Sequence, residues 1–206
     1  MFKEIQPTKF DCVIVGGGLA GGLLLHALKT CQPQLRVLLV EKQKGLSSHQ
    51  TWCFHSTDIP AGATWLNDLI SHRWSRQKVI FPQYERFIQQ EYNALRASDF
   101  ADYLYQNYSD SIRLKASVTS FTDTTVTLAD GVSLMCEQVI DARGWGDSKN
   151  TSQGYQKFVG WDVTLSQPHG MDYALIKDAR VSQDDGYRFF YVLPVSYTHL
   201  TLPTKA

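Results

Sequence analysis

Three glycines and one acid carry the clearest chemistry in this chain. Gly16, Gly18 and Gly21 stand at GxGxxG spacing, and Glu41 follows Gly21 by twenty residues. Gly16 permits a tight turn. Gly18 lacks the Cβ that would keep a diphosphate off the backbone. Gly21 lets a helix pack close on a strand. The intervening Gly17, Leu19 and Ala20 place main-chain N–H groups at a helix start, where phosphate oxygens are favoured. Glu41 can accept hydrogen bonds from ribose hydroxyls, and its charge repels a 2′-phosphate. The set therefore suits FAD or NAD better than NADP, and its place near the start of the chain favours FAD.

Other residues carry weaker signals. Gln138–Gly144 (QVIDARG) repeats the pattern of an apolar run ending in an acid and a glycine turn, with Asp141, Arg143 and Gly144 at its end. It reads either as a second contact with the cofactor or as a surface turn after a buried strand. His49 and His55 lie in SSHQTWCFH, which should hang near the cofactor. Their spacing fits no common metal motif, so they read as solvated loop histidines, and no metal is expected.

These residues need elements to hold them. Cys12–Val15 is a β-branched run suited to a strand buried on both faces, and Leu35–Val40 is a second. Leu19–Cys31 reads as the helix between them. That order, strand, glycine turn, helix, strand, acid, is the context the motif requires. Ser98 is placed to cap a helix running to Asn107, with Phe100, Tyr103, Leu104 and Tyr108 as its apolar stripe. Strands are expected at 112–115, 118–121, 125–128 and 132–135, with Ala129-Asp130-Gly131 as a hairpin turn. Further strands are expected at 78–81 and 86–88, around a turn at 82–85, and at 158–165 and 187–192. The aromatics near these last strands either line an apolar cavity or build a sheet core. Trp65, Leu66, Leu69, Ile70 and Trp74 fall near helical spacing, as a core stripe or an apolar contact face. The fold class is therefore α/β: a three-layer FAD/NAD(P)-binding Rossmann-like domain with a parallel sheet and a β-meander crossover, plus part of a mixed β-sheet substrate domain. The first domain is expected at 1–60 and 91–150, the second at 61–90 and 151–196.

Composition narrows the classes. The 206 residues are 43% hydrophobic and 19% charged, which suits a folded core. Lys+Arg and Asp+Glu are both 20, so there is no basic excess for nucleic acid. The four cysteines form no CxxC pair and read as free thiols in a reducing cytoplasm. Cys12–Leu28 lacks Asp, Glu, Lys and Arg, but its five glycines suit the nucleotide turn better than a membrane span.

The segments DCVIVGGGLAGG (11–22), RVLLVE (36–41), TWCFH (51–55), VIDARG (139–144), YQKFVGWDVTLSQPHG (155–170) and GYRFFYVLP (186–194) resemble, in order, those of bacterial lycopene β-cyclases. The resemblance implies an enzyme that uses reduced FAD, with NAD(P)H as reductant, to close β-ionone rings on lycopene without net redox change. A proton is added to a terminal double bond, the cation cyclises, and a proton leaves. It implies cofactor roles for Gly16, Gly18, Gly21, Glu41, Asp141, Arg143 and Gly144, and adds Trp52, although Gln50 stands where the family has histidine. Because lycopene is insoluble in water, it also implies a cytoplasmic protein in peripheral contact with a membrane. The family's acidic pair should fall near Pro203 and Thr204, but Ser196–Ala206 contains no carboxylate. The catalytic residue is thus unassigned, residues 197–206 read as a foreign tail, and the chain reads as a fragment. The alternatives are another FAD enzyme, a hydroxylase or polyprenyl reductase, or an inactive nucleotide-binding fragment.

Overall fold

The β-branched and leucine-rich runs do become strands, and burial explains why. In the computed structural model, residues 9–46, 50–144, 152, 158–184, 186–196 and 199–205 are described. The first elements are β1 (Phe10–Val15), α1 (Leu19–Cys31), β2 (Val37–Val40), β3 (Thr51–His55), β4 (His72–Trp74), β5 (Gln77–Phe81), β6 (Tyr84–Ile88) and β7 (Tyr92–Arg96). They are followed by α2 (Ala97–Tyr108), β8 (Ile112–Arg113), β9 (Val118–Phe121), β10 (Thr125–Leu128) and β11 (Ser133–Asp141). The last four are β12 (Phe158–Thr164), β13 (Ala174–Asp178), β14 (Phe190–Pro194) and β15 (His199–Lys205).

The chain divides into two units. The first comprises 1–51, 64–69 and 96–149, and the second 52–63, 70–95 and 150–206. In the first, a six-stranded sheet has the order β8-β2-β1-β11-β10-β9. β1 and β2 are buried on both faces. Cys12, Ile14, Val37 and Leu39 pack with Leu25 of α1 on one side. Val13, Val15, Leu38 and Val40 pack with Val126, Leu128 and Leu134 of the meander on the other. This is the helix–sheet–meander layering expected of the Rossmann-like class. Gly21 and Gly22 cost α1 about 1 kcal/mol each in helix propensity. Full burial of Leu25 alone returns about 1.5–3 kcal/mol, so packing and not propensity holds the helix.

One strand does two jobs. Residues 132–135 and 138–141 were expected as separate strands, but β11 is continuous. Its first residues pair antiparallel with β10, Val126 opposite Leu134. Its later residues pair parallel with β1, Val13 opposite Val139 and Val15 opposite Asp141. The meander therefore carries Asp141 to the carboxyl end of the central sheet. The hairpin at 129–131 forms as expected: Gly131 takes φ +86° and Leu128 N–H donates to Val132 O at 2.9 Å.

Other expectations need correction. α2 begins at Ala97, and Ser98 does not cap it. The Ala97 N–H at the start of the helix is met instead by the Gln50 carbonyl of a distant segment, at 3.0 Å. The 112–115 strand ends at Arg113, because Lys115 turns left-handed at φ +53°. The stripe from Trp65 to Trp74 is not a helix. Thr64–Leu69 forms 3-10 turns and Trp74 lies on β4, although Leu69 and Trp74 are buried as a core stripe would be.

The second unit holds a six-stranded mixed sheet, order β12-β15-β14-β13-β5-β6, and a three-stranded sheet, β3-β7-β4. The β5–β6 turn is only Pro82-Gln83, because Tyr84 and Glu85 pair with Phe81 and Ile80. The strand expected at 187–192 is β14, Phe190–Pro194. Within 197–206, β15 pairs with both β12 and β14.

Candidate functional site

A cleft of about 420 Å³ opens at the carboxyl ends of β1 and β2, the rim where open α/β sheets receive ligands. Val15, Gly16 and Gly18 form one wall, Val40, Glu41 and Lys42 the next, and Ala116, Ser117, Val118, Ala142 and Arg143 the rest.

The glycines divide the work. Gly16 has φ +109°, and a Cβ there would lie 2.9 Å from the Ala142 carbonyl. A Cβ on Gly21 would drive into the Gly16 carbonyl oxygen and lie 3.4 Å from Ile14. One on Gly17 would strike Leu46 and Glu41, and one on Gly22 would reach 2.7 Å from the Phe100 ring. Gly18 differs: its Cβ position has no protein atom within 4 Å. That open position borders the cleft, as backbone meant for a diphosphate should. Gly18 also occupies the N-cap of α1 without a side-chain cap, so the first-turn amides, including those of Leu19 and Ala20, lack that partner.

Glu41 is held by two amides. Gly17 N–H donates to Oε2 at 2.7 Å and Gln43 N–H to Oε1 at 2.8 Å. Each carboxylate oxygen can accept a further bond, so ribose hydroxyls fit beside a carboxylate already fixed in place. Neighbouring backbone is bonded too: Ala116 N–H donates to Glu41 O and Lys115 N–H to Gln43 O, both at 2.9 Å.

Beside the Gly16 turn, Arg143 grips Asp141 through Nε to Oδ1 and Nη2 to Oδ2, both 2.8 Å. The guanidinium also lies over the Phe121 ring, 5.4 Å from its centroid. The hydrogen bond from Arg143 holds the Asp141 carboxyl below its ordinary range. Gly144 follows at φ +83°. Gly16, Gly18, Glu41 and Arg143 thus share one cleft. Trp52 is on β3 of the second unit and is not among the residues lining it.

His55 is not a solvated loop residue. It ends β3, half-buried, with Nε2 3.2 Å from the buried Gln77 Oε1 and Nδ1 3.6 Å from Asp58. His49 lies outside the described residues. Among the described residues no group of three His, Cys, Asp or Glu side chains is placed to hold a metal, and no helix is long and apolar enough to cross a membrane. Pro203 and Thr204 fall on β15, Pro203 opposite Gly160 and Thr204 opposite Phe190. Sequence reasoning missed Lys42, Ala116, Ser117 and Val118. The last three follow β8, and a fourth parallel strand ending at the same rim was the available signal.

Residues 11–203 match the model of the lycopene cyclase protein family. A lycopene β-cyclase of Pseudescherichia vulneris is 39% identical over 90% of this chain and 48% of its own length. That of Pantoea ananas is 34% identical over 96% of this chain and 52% of its own length. The chain thus spans about half the length of the curated relatives it matches. Among solved structures, 2-methyl-3-hydroxypyridine-5-carboxylic acid oxygenase in its tetrameric form superposes with a TM-score of 0.67 at 18% identity, over 97% of this chain and 59% of that one. An HpxO variant of Klebsiella pneumoniae, complexed with FAD, gives 0.67 at 14% identity, over 96% and 57%. These likenesses bear on the fold, which is the FAD/NAD(P)-binding Rossmann-like class. On the extent of the family match and the identity to its curated members, the chain belongs to the lycopene cyclase family.

Proposed function

We propose that this chain is the dinucleotide-binding part of a lycopene β-cyclase and that its cleft takes FAD. The observation that carries the reading is the open backbone at Gly18 beside a carboxylate, Glu41, that two main-chain amides already hold. The α1 amides and the glycine turn would receive the diphosphate. Glu41 would bond the adenosine ribose and exclude a 2′-phosphate. Reduced FAD supplies fixed negative charge, the kind of preorganised field that stabilises a carbocation.

The reaction proposed for the whole protein is an isomerisation. One proton is gained at a terminal double bond of lycopene, one ring bond forms, and one proton is lost. NAD(P)H serves only to keep the cofactor reduced. The contribution assigned to this chain is binding and orientation. Its substrate calls for contact with a membrane, and exposed Phe81, Tyr84 and Phe87 on the β5–β6 hairpin supply apolar surface for it.

Titrating the chain with FAD and following flavin fluorescence tests the cofactor reading. Saturable one-to-one quenching is expected, with FMN a poor competitor because it lacks the adenosine that Glu41 would recognise. Equal binding of FMN, or no binding of FAD, overturns the reading. Expression in lycopene-accumulating cells, with cyclised carotenoid as the readout, tests the activity.

A further inference from the structure

GxGxxG spacing asks for glycine at 16, 18 and 21, yet position 17 is glycine too. Its contacts account for it. A Cβ on Gly17 would strike the end of the Leu46 side chain and lie 3.1 and 3.2 Å from Cβ and Cγ of Glu41. Bare Gly17 is thus a floor on which Leu46 and the Glu41 stem both rest, and its own N–H donates to Glu41 Oε2 at 2.7 Å. Leu46 ends the segment 42–46 that leaves β2. That segment also carries the second amide on the carboxylate, Gln43 N–H to Oε1 at 2.8 Å. It is tied down at two points. Gln43 O accepts from Lys115 N–H at 2.9 Å. Leu46 N–H donates to the Tyr105 hydroxyl of α2 at 3.1 Å, across 59 residues of chain, while the Leu46 side chain packs on Cys12, Ile14, Leu25 and Leu39. α2 is itself seated on α1, since a Cβ on Gly22 would lie 2.7 Å from the Phe100 ring and 2.9 Å from Leu104. Tyr105 and Leu46 are not among the residues lining the cleft, so any effect they have on a ligand passes through Glu41 and the turn.

We propose that Tyr105 is a positioning residue for nucleotide recognition: its hydroxyl holds the Leu46 amide, Leu46 stays closed over Gly17 and the Glu41 stem, and the carboxylate is thereby fixed for the ribose. This rests on the reading of the cleft as a dinucleotide site and adds to it a clamp that touches no ligand. A glutamate free to rotate loses that freedom when a ligand binds. One held beforehand does not, and binding is tighter for it.

A double-substitution cycle separates positioning from general stability. FAD affinity of the full chain is measured by flavin fluorescence for the wild type, Tyr105→Phe, Glu41→Gln and the two substitutions together. Tyr105→Phe keeps the ring and removes one hydrogen bond, so FAD should bind about 3- to 10-fold more weakly. In the Glu41→Gln background the same change should shift affinity by less than about twofold, because the carboxylate it acts through is gone. Leu46→Ala, which keeps the amide and strips the side chain from Gly17, carries the same comparison independently and should show the same dependence on Glu41. Equal losses in both backgrounds, or unchanged affinity in Tyr105→Phe, overturn the proposal while the dinucleotide reading stands. Failure of the wild type to bind FAD removes both, and is told apart by that result.

Discussion

Gly18→Ser and Gly21→Ala make a pair of substitutions in one motif with opposite expected consequences. Gly18 sits at the N-cap of α1 with φ −74° and ψ −170°, the extended conformation a capping serine adopts. Its Cβ position is clear of protein for 4 Å. A serine there should bond an α1 amide and stabilise the ligand-free chain by roughly a few tenths of a kcal/mol. The same hydroxyl then occupies the donors, and its Cβ the space, that a diphosphate needs. Losing one or two such hydrogen bonds to a charged group, at about 1.5–3 kcal/mol each, weakens FAD binding at least tenfold.

Gly21→Ala behaves in the reverse order. Alanine gains about 1 kcal/mol in helix propensity. Its Cβ, however, would drive into the Gly16 carbonyl oxygen and lie 3.1 Å from that carbonyl carbon. Both are backbone atoms and cannot rotate away, so α1 must lift from β1. Overpacking of this kind costs about 1–3 kcal/mol, at or above the propensity gain, with Leu25 and Ile14 losing contact in addition. The chain should therefore unfold at lower denaturant without ligand, and bind FAD weakly because the turn has moved. Denaturant unfolding and FAD titration of both variants provide the check. If Gly18→Ser bound FAD like the wild type, or if Gly21→Ala were as stable as the wild type, the division of labour among these glycines would be wrong.

Other outcomes follow from groups away from the glycine turn. Burial raises Tyr92 to about 12, and Tyr191, 3.0 Å from it, is raised further. Both stay protonated in the folded chain after unfolded tyrosines ionise near pH 10, so their contribution to stability is whole below pH 10 and falls as pH rises above it, that of Tyr92 being lost through about 12. Alkaline unfolding followed by phenolate absorbance should show this late, coupled rise, and Tyr92→Phe should reduce it. His26 is buried between Tyr108 OH at 2.8 Å and Trp65 O at 3.0 Å. His26→Leu leaves both without that partner and should destabilise the chain by about 2 kcal/mol in denaturant unfolding. Lys115→Gly should stabilise by about 0.5–1 kcal/mol, because relief of the left-handed lysine exceeds the entropy that glycine adds to the unfolded chain.

The first unit was legible where local sequence and local contacts agree. The run Cys12–Val15, the glycine turn, α1, β2 and Glu41 lie close in sequence and make their decisive contacts with one another. The hairpin at 129–131 was legible for the same reason. What failed depended on partners far along the chain. Nothing near Ser98 indicates that Gln50 meets the Ala97 amide. Nothing local joins residues 133–135 to 138–141, since β11 takes β10 as partner at one end and β1 at the other. The apolar spacing of Trp65, Leu66 and Leu69 fits an α-helix and a 3-10 turn alike, and packing decided. His55 looked solvated because Gln77, its partner, lies more than twenty residues later.

The glycine motif had a subtler limit. Five glycines between positions 16 and 22 read alike in sequence, each compatible with a turn or with a ligand. The structure separates them by what a side chain would strike. At Gly16 and Gly21 the obstacle is backbone, so those two would be needed even in a fold that bound nothing, while at Gly17 and Gly22 it is the ends of the Leu46, Phe100 and Leu104 side chains. At Gly18 the protein offers no obstacle, and the backbone conformation suits a capping residue that would improve the helix. A chain selected only to fold has no reason to keep that position bare. A chain that must bring backbone amides up to a bulky anion does, and Gly18 is accordingly where the architecture points beyond its own stability.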